Sequence, residues 1–243
     1  MSGTNKTVWI TRPEPGNAKT CANLKAAGFD AVSMPLTKTV PVRTDIVIDE
    51  DASLLVTSGA AIRLLDPSLA AQLLHHPLFA VGEGTATVAK ETGFQDVVVA
   101  NGNAESLGSL ITETAKPHTK FHYLAGRIRT PYLENALIKR DFDVAVSVVY
   151  DTQKVSQMTY SELQYLETAS PAAVVFHSVL SVEVWFSEIN RSFGKQASDS
   201  TTFFFVSPRI AAAVPEASVL RRQILNSAAD EDLIAQLQDA IEF

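Results

Sequence analysis

The same series of strand, turn and helix signals runs through this sequence twice. A short apolar run at residues 8–10 ends in Thr11-Arg12-Pro13, a helical stretch follows, and a second run spans 31–34. About half a chain later, residues 121–124 lead into Gly126-Arg127, a helical stretch follows, and a run spans 144–150. The run 54–56 with Thr57-Ser58 is answered by 174–176 with His177-Ser178. The run 79–81 with Gly82-Glu83-Gly84-Thr85 is answered by 203–206 with Ser207-Pro208-Arg209. Short β-branched runs that alternate with helical periods require α/β architecture, with parallel sheets flanked by helices. Each run closes on small, polar or basic residues, and open α/β sheets bind ligands beyond such strand ends. The repeat therefore predicts two similar lobes, each a parallel sheet flanked by helices, with facing mouths.

Helix ends and breaks in the rhythm refine this reading. Pro15 and Gly16 open a helix that Gly28 closes, as a glycine just past a helix end does. Leu107, Leu110 and Ile111 form one apolar stripe. Thr159 and Glu162 have capping-box spacing ahead of Leu163 and Leu166. Asp230 is placed to cap a last helix whose stripe is Leu233, Ile234, Leu237 and Ile241. Two segments break the alternation, P-L-T-K-T-V-P-V at 35–42 and S-V-V-Y-D-T-Q-K at 147–154. They hold matching places in the two copies and read as extended linkers. Either the chain crosses between lobes at both, or it divides once near Lys116-Pro117; periodicity alone leaves both open.

Composition narrows the function. With 243 residues, 46% of them apolar and 19% charged, the chain has the make-up of a globular protein of one large or two ordinary domains. The formal charge of −7 argues against broad nucleic-acid binding, yet a few arginines in a cleft still attract an anionic small molecule. No apolar run is long enough to span a membrane, and the first residues lack the apolar core of a signal peptide. The single cysteine, Cys21, sits in an apolar-periodic helix and reads as a buried thiol. These signs point to a cytoplasmic protein, with monomer as the default state. Gly82 and Gly84 begin a dinucleotide fingerprint, but Thr87 stands where the third glycine belongs. His75-His76-Pro77 reads as a solvated loop, not a metal site, and His118 and His122 show no partner. His177 alone among the histidines falls at the mouth of the predicted cleft.

Seven ordered segments carry a resemblance. They are V-W-I-T-R-P-E-P (8–15), V-S-M-P-L (32–36), L-L-V-T-S-G-A-A (54–61), A-V-G-E-G-T-A (80–86), A-N-G-N-A-E-S-L (100–107), 126–129 and V-V-Y-D-T (148–152). In this order they resemble the uroporphyrinogen-III synthase family over nearly the whole chain. The resemblance implies a hydro-lyase of tetrapyrrole (haem and sirohaem) biosynthesis. It would cyclise hydroxymethylbilane, a flexible linear tetrapyrrole rich in carboxylates, to uroporphyrinogen III, inverting ring D and losing water without a cofactor. It also implies one discontinuous lobe of 1–36 with 154–243, a second of 41–147, and linkers at 35–42 and 147–154. The partner implied is the small-molecule substrate, with neither nucleic acid nor membrane, and with a transient contact to hydroxymethylbilane synthase. The rival reading is a non-catalytic two-lobed binding protein for an anionic small molecule.

Such a substrate needs positive charge and backbone donors at helix N-termini. Arg12, Arg127 and Arg129 stand at strand-end turns, and Arg12 and Arg127 hold equivalent places in the two copies. Thr57, Ser58, Thr85 and Ser178 also follow strands. Capping is the expectation for Thr57, and ligand contact for Ser58, Thr85 and Ser178. Gly82, Asn103 and Gly126 complete the expected binding set. Tyr150, in V-V-Y-D-T, matches the tyrosine that the family places near the cleft and is the expected general acid or donor to the leaving hydroxyl. One turn departs from the family's usual G-P-T-T-A: residues 207–211 read S-P-R-I-A, where Arg209 would supply a carboxylate contact in place of the hydroxyls. The turn F-H-S-V-L at 176–180 is similarly altered from F-x-S-P-S.

Overall fold

A computed structural model describes residues 5–43, 45–155, 171–189, 201–216, 218 and 220–241. The predicted capping pair Thr159 and Glu162 lies outside them, as do Leu163 and Leu166. Along the chain the strands are β1 (Thr7–Ile10), β2 (Asp30–Ser33), β3 (Thr37–Pro41), β4 (Ser53–Val56), β5 (Leu78–Ala80) and β6 (Val97–Val99). They continue with β7 (Lys120–Gly126), β8 (Asp143–Lys154), β9 (Ala173–Phe176), β10 (Thr202–Phe205) and β11 (Arg221–Ile224). The helices are α1 (Gly16–Ala26), α2 (Ala60–Arg63), α3 (Pro67–Leu73), α4 (Glu83–Thr92) and α5 (Ala104–Thr114). After them come α6 (Tyr132–Ile138), α7 (Val179–Val184), α8 (Pro208–Ala211) and α9 (Asp230–Ala240), and a π-helical turn, Trp185–Ile189, prolongs α7.

The chain divides into two compact units. The first comprises Met1–Lys38 with Gln153–Phe243, the second Thr39–Thr152. The first unit is built on a five-stranded sheet, β11-β10-β9-β1-β2, and the second on a six-stranded sheet, β3-β8-β7-β4-β5-β6. In each, the opening β-α-β of one sequence copy pairs with the later strands of the other copy. Ile10 of β1 is in register with Val175 of β9, and Leu55 of β4 with Tyr123 of β7, both pairs parallel.

Burial on both faces explains the strand sequences. β4 and β9 are buried at every position, which is why S-L-L-V and A-V-V-F carry no exposed polar alternate. In the first unit Trp9, Phe176, Trp185, Phe203 and Phe205 fill one side of the sheet, while Val8, Ile10, Leu24, Val175, Phe204 and Leu237 fill the other. In the second unit Leu54, Val56 and Leu124 face one side, and Leu55, Phe121, Leu107 and Leu133 the other. Cys21 is buried in the first unit, as its helical period predicts.

The two rhythm-breaking segments are strands. Residues 37–41 form the edge of the six-stranded sheet, where a terminal proline is tolerated because its missing N–H faces no neighbour. The segment 147–154 is the second part of the 12-residue strand β8, which is rich in valine. Val42 N–H donates to Val149 carbonyl (3.0 Å) and Val155 N–H to Leu36 carbonyl (3.0 Å), so the two segments run antiparallel.

Gly28 closes α1 as its position predicts, with φ 90°. Asp230 departs from its predicted role. Its carboxylate does not cap α9; it accepts from Thr20 Oγ1 (2.9 Å) and Asn23 Nδ2 (2.8 Å), because α1 packs beside α9 and presents two donors there. Two histidines also differ from the sequence reading. His76 is buried with Nδ1 against Ala52 carbonyl (2.8 Å), and His122 Nε2 meets Ser147 Oγ (2.8 Å). No helix among the described residues is long and apolar enough to cross a membrane.

Candidate functional site

Strand order reverses direction once in each sheet. From β1 the first unit proceeds to β2 on one side and from β9 to β10 and β11 on the other; in the second unit β7 leads to β8, and β4 to β5 and β6. At such a switch point the following connections diverge to opposite sides and leave a crevice at the strand ends, where ligands of open α/β sheets bind. The residues after β1 and β9, and after β7 and β4, are therefore the candidate sites of the two units.

In the second unit the crevice is built around two tyrosines. A bulge in the β7–β8 pairing opposes Ala125 to Val148 and Gly126 to Tyr150, so Val149 is the extra residue and Tyr150 is re-aimed. The Tyr150 ring then lies directly on Gly126. A Cβ at Gly126 would stand 2.6 Å from Tyr150 Cζ and 2.8 Å from its hydroxyl oxygen. Any larger residue at 126 would force the ring to shift. Arg127 N–H donates to Tyr150 carbonyl (2.9 Å), and Arg127 Nε pairs with Asp151 at 3.3 Å, which locks the turn to the strand. Arg129 bridges Glu134 (Nε–Oε1 2.7 Å) and donates through Nη1 to Gly126 carbonyl (3.2 Å). It thus fastens the turn to the first turn of α6.

Tyr123, absent from the sequence-derived set, is the second tyrosine. Its hydroxyl meets Thr57 Oγ1 at 2.6 Å, and burial pushes its phenol pKa up, with the Thr57 bond opposing that shift and the fields of Glu134 and Tyr150 adding to it. The helix-end contact expected of Thr57 is made by Ser58 instead. Thr57 bonds across the switch point, while Ser58 Oγ accepts from Ala60 N–H (3.2 Å) at the start of α2. Spatial adjacency of β4 and β7 decides this, because it brings a phenol to Thr57. A polar-tipped aromatic within the apolar strand F-H-Y-L-A-G was the one signal for Tyr123.

The loops after β5 and β6 meet backbone to backbone. Gly82 lies so close to Gly102 that an added Cβ would stand 3.0 Å from Gly102 Cα. Gly102 N–H donates to Val81 carbonyl (2.7 Å). Thr85 is buried in the first turn of α4, and Asn103 caps α5 by accepting from Ser106 N–H (2.8 Å).

In the first unit the crevice holds Arg12 and His177. The register that pairs Ile10 with Val175 brings residue 12 beside residue 177 two steps on. The Arg12 guanidinium lies over Gly16, where a Cβ would stand 2.6 Å from Nε, and donates through Nη1 to Thr20 (3.3 Å). Burial lowers its pKa and the Asp230 field raises it. His177 is held neutral, with a pKa lowered to about 3, chiefly by burial and then by Arg12. Ser178 caps α7 by accepting from Ser181 N–H (3.1 Å), and Arg209 is exposed on α8. Among the described residues no group of three or more His, Cys, Asp or Glu could hold a metal ion.

These features define a class: an α/β protein of two similar units, with basic and hydroxyl-bearing residues at the switch point of each. The family described as uroporphyrinogen-III synthase HemD matches residues 18–235, and the chain belongs to it. It is an enzyme of the cyclising lyase class and acts in tetrapyrrole biosynthesis. Among solved structures, uroporphyrinogen-III synthetase from Helicobacter pylori shares 17% identity at a TM-score of 0.68, over 97% of this chain and 99% of that one. A mutant uroporphyrinogen III synthase from the extreme thermophile Thermus thermophilus shares 19% identity at a TM-score of 0.53, over 96% and 98%. At such identities the likeness shows a shared fold. A comparison with curated proteins finds no match.

Proposed function

We propose that this chain converts hydroxymethylbilane to uroporphyrinogen III with Tyr150 as the acid that releases the substrate's hydroxyl. The observation that carries this is the seating of the Tyr150 ring on Gly126, by a strand bulge, at the switch point of the second unit. The phenol gives its proton to the hydroxymethyl oxygen as the C–O bond breaks, and water leaves. The remaining azafulvenium cation is attacked by the substituted carbon of ring D. A spiro intermediate forms, and its rearrangement delivers the inverted ring and returns a proton to the phenolate. Little further chemistry is needed, because holding the reacting rings in one geometry supplies most of the selectivity.

Arg12, Arg127 and Arg209 are the carboxylate-binding side chains, aided by Thr57, Ser58, Thr85, Asn103 and Ser178 and by backbone N–H groups near Gly82 and Gly126. Arg129, already paired with Glu134, holds the Gly126 carbonyl and so positions the turn under Tyr150. We assign the reaction to the cytoplasm, with a transient contact to hydroxymethylbilane synthase that shortens the path of a labile bilane.

The test is incubation of purified protein with bilane made in situ, followed by oxidation and separation of the isomers. Type III product is expected, and type I alone would overturn the reading. Tyr150→Phe should lower kcat by about a hundredfold, the usual scale of a general acid. Near-full turnover at saturating substrate would remove Tyr150 from that role.

A further inference from the structure

We infer that His177 and Arg12 form a paired carboxylate subsite in the first unit, with His177 donating from Nδ1 and Arg12 supplying the charge. This rests on the synthase reading and names a residue that selects the substrate there. His177 Nδ1 is enclosed, yet it has no hydrogen-bond partner. A buried polar atom left so is costly and calls for a ligand. The position is the end of β9, next to the end of β1, where the sheet changes direction.

The surroundings choose the ligand's charge. Arg12 follows β1 at the level where His177 follows the neighbouring β9, and burial, with the Arg12 charge added, lowers the imidazole pKa to about 3. A neutral imidazole has one N–H. Were Nδ1 the acceptor, the Arg12 guanidinium would be its natural donor, but the Arg12 bond goes to Thr20 instead. A donor nitrogen next to a guanidinium suits an anion, and a carboxylate accepts from both at once. The pair therefore takes one carboxylate, which under the synthase reading is a side chain of the bilane.

His177→Asn keeps a donor near the Nδ1 position, whereas His177→Phe keeps the ring volume without one. With bilane made in situ, the Phe variant should raise KM about tenfold, the scale of one lost charge-assisted hydrogen bond, while kcat moves far less. The Asn variant should recover most of that loss. Uroporphyrin III, an unreactive polycarboxylate, should shift the Nδ1 resonance of ¹⁵N-labelled His177 in the wild-type protein. An unchanged KM in the Phe variant, no rescue by Asn, or an unmoved Nδ1 resonance would each overturn the subsite. If the Phe variant does not fold, the Asn variant and the resonance decide. Failure of the wild-type protein to form the type III isomer would instead overturn the reading beneath it.

Discussion

Gly126→Ala tests the link between the strand bulge and the reaction. The new Cβ would stand 2.6 Å from Tyr150 Cζ, 2.8 Å from its hydroxyl oxygen and 3.0 Å from Cε2. Carbon atoms rest at about 3.5–4.0 Å, so the ring must retreat by roughly an ångström. The retreat is hindered. Arg127 N–H holds the Tyr150 carbonyl at 2.9 Å, and the neighbouring Val149 is buried in the core. Overpacking of this kind costs about 1–3 kcal/mol of stability. A misplacement near 1 Å costs on the order of 100-fold in rate. Urea denaturation and turnover of bilane made in situ measure the two effects. The informative comparison is the same substitution in a Tyr150→Ala background, where the ring is gone and alanine should cost only a few tenths of a kcal/mol. If Gly126→Ala is equally destabilising with and without the Tyr150 ring, or leaves turnover intact in the wild-type background, the contact does not have the role assigned to it.

Tyr123→Phe removes the 2.6 Å bond to Thr57 and leaves that hydroxyl unpaired across β4 and β7, so stability should fall by about 1–3 kcal/mol on denaturant titration. Asp230→Ala frees Thr20 and Asn23 and should cost about 1–2 kcal/mol, which a thermal melt would register as a lower Tm. Acid should weaken the fold through two histidines, His122 and His177. Burial lowers the pKa of His122, and burial followed by Arg12 lowers that of His177 to about 3. The unfolded chain then binds protons below about pH 6.5 that the folded chain refuses. Stability is thus unaffected by these groups above that pH and falls as pH drops below it, down to about 3 for His177, by at most about 1.4 kcal/mol per unit for each histidine. His177→Asn should flatten the slope by one proton; an unchanged slope between pH 6.5 and 5 would show that His177 is not held neutral.

Much of the architecture was legible in the chain. The β-branched runs, the turn residues after them and the helical periods are local signals, and local sterics enforce them wherever the segment lies. They gave the strands, the end of α1 at Gly28 and the parallel class of the sheets. The equivalence of Arg12 and Arg127 was readable for the same reason, since both follow the first strand of a copy. Side-chain partners were not readable, because a hydroxyl or carboxylate bonds whatever donor the fold brings near. Asp230 has good capping chemistry, but α1 supplies Thr20 and Asn23 and takes its carboxylate. Thr57 is placed to cap, but β7 brings the Tyr123 hydroxyl to it, and Ser58 takes the helix end.

The sequence by itself determined a doubled α/β chain whose strands end in binding residues, because strand period, turn chemistry and the repeat are properties of neighbours along the backbone. Periodicity left open which strands pair across the copies, and the tertiary structure sets β1 beside β9 and β7 beside β4. Those pairings join residues more than 60 positions apart, and the buried faces of whole sheets select them. They bring residue 177 to the level of residue 12 and the Tyr123 hydroxyl to Thr57, and the bulge on β8 sets the Tyr150 ring where a Cβ at Gly126 would force it to shift.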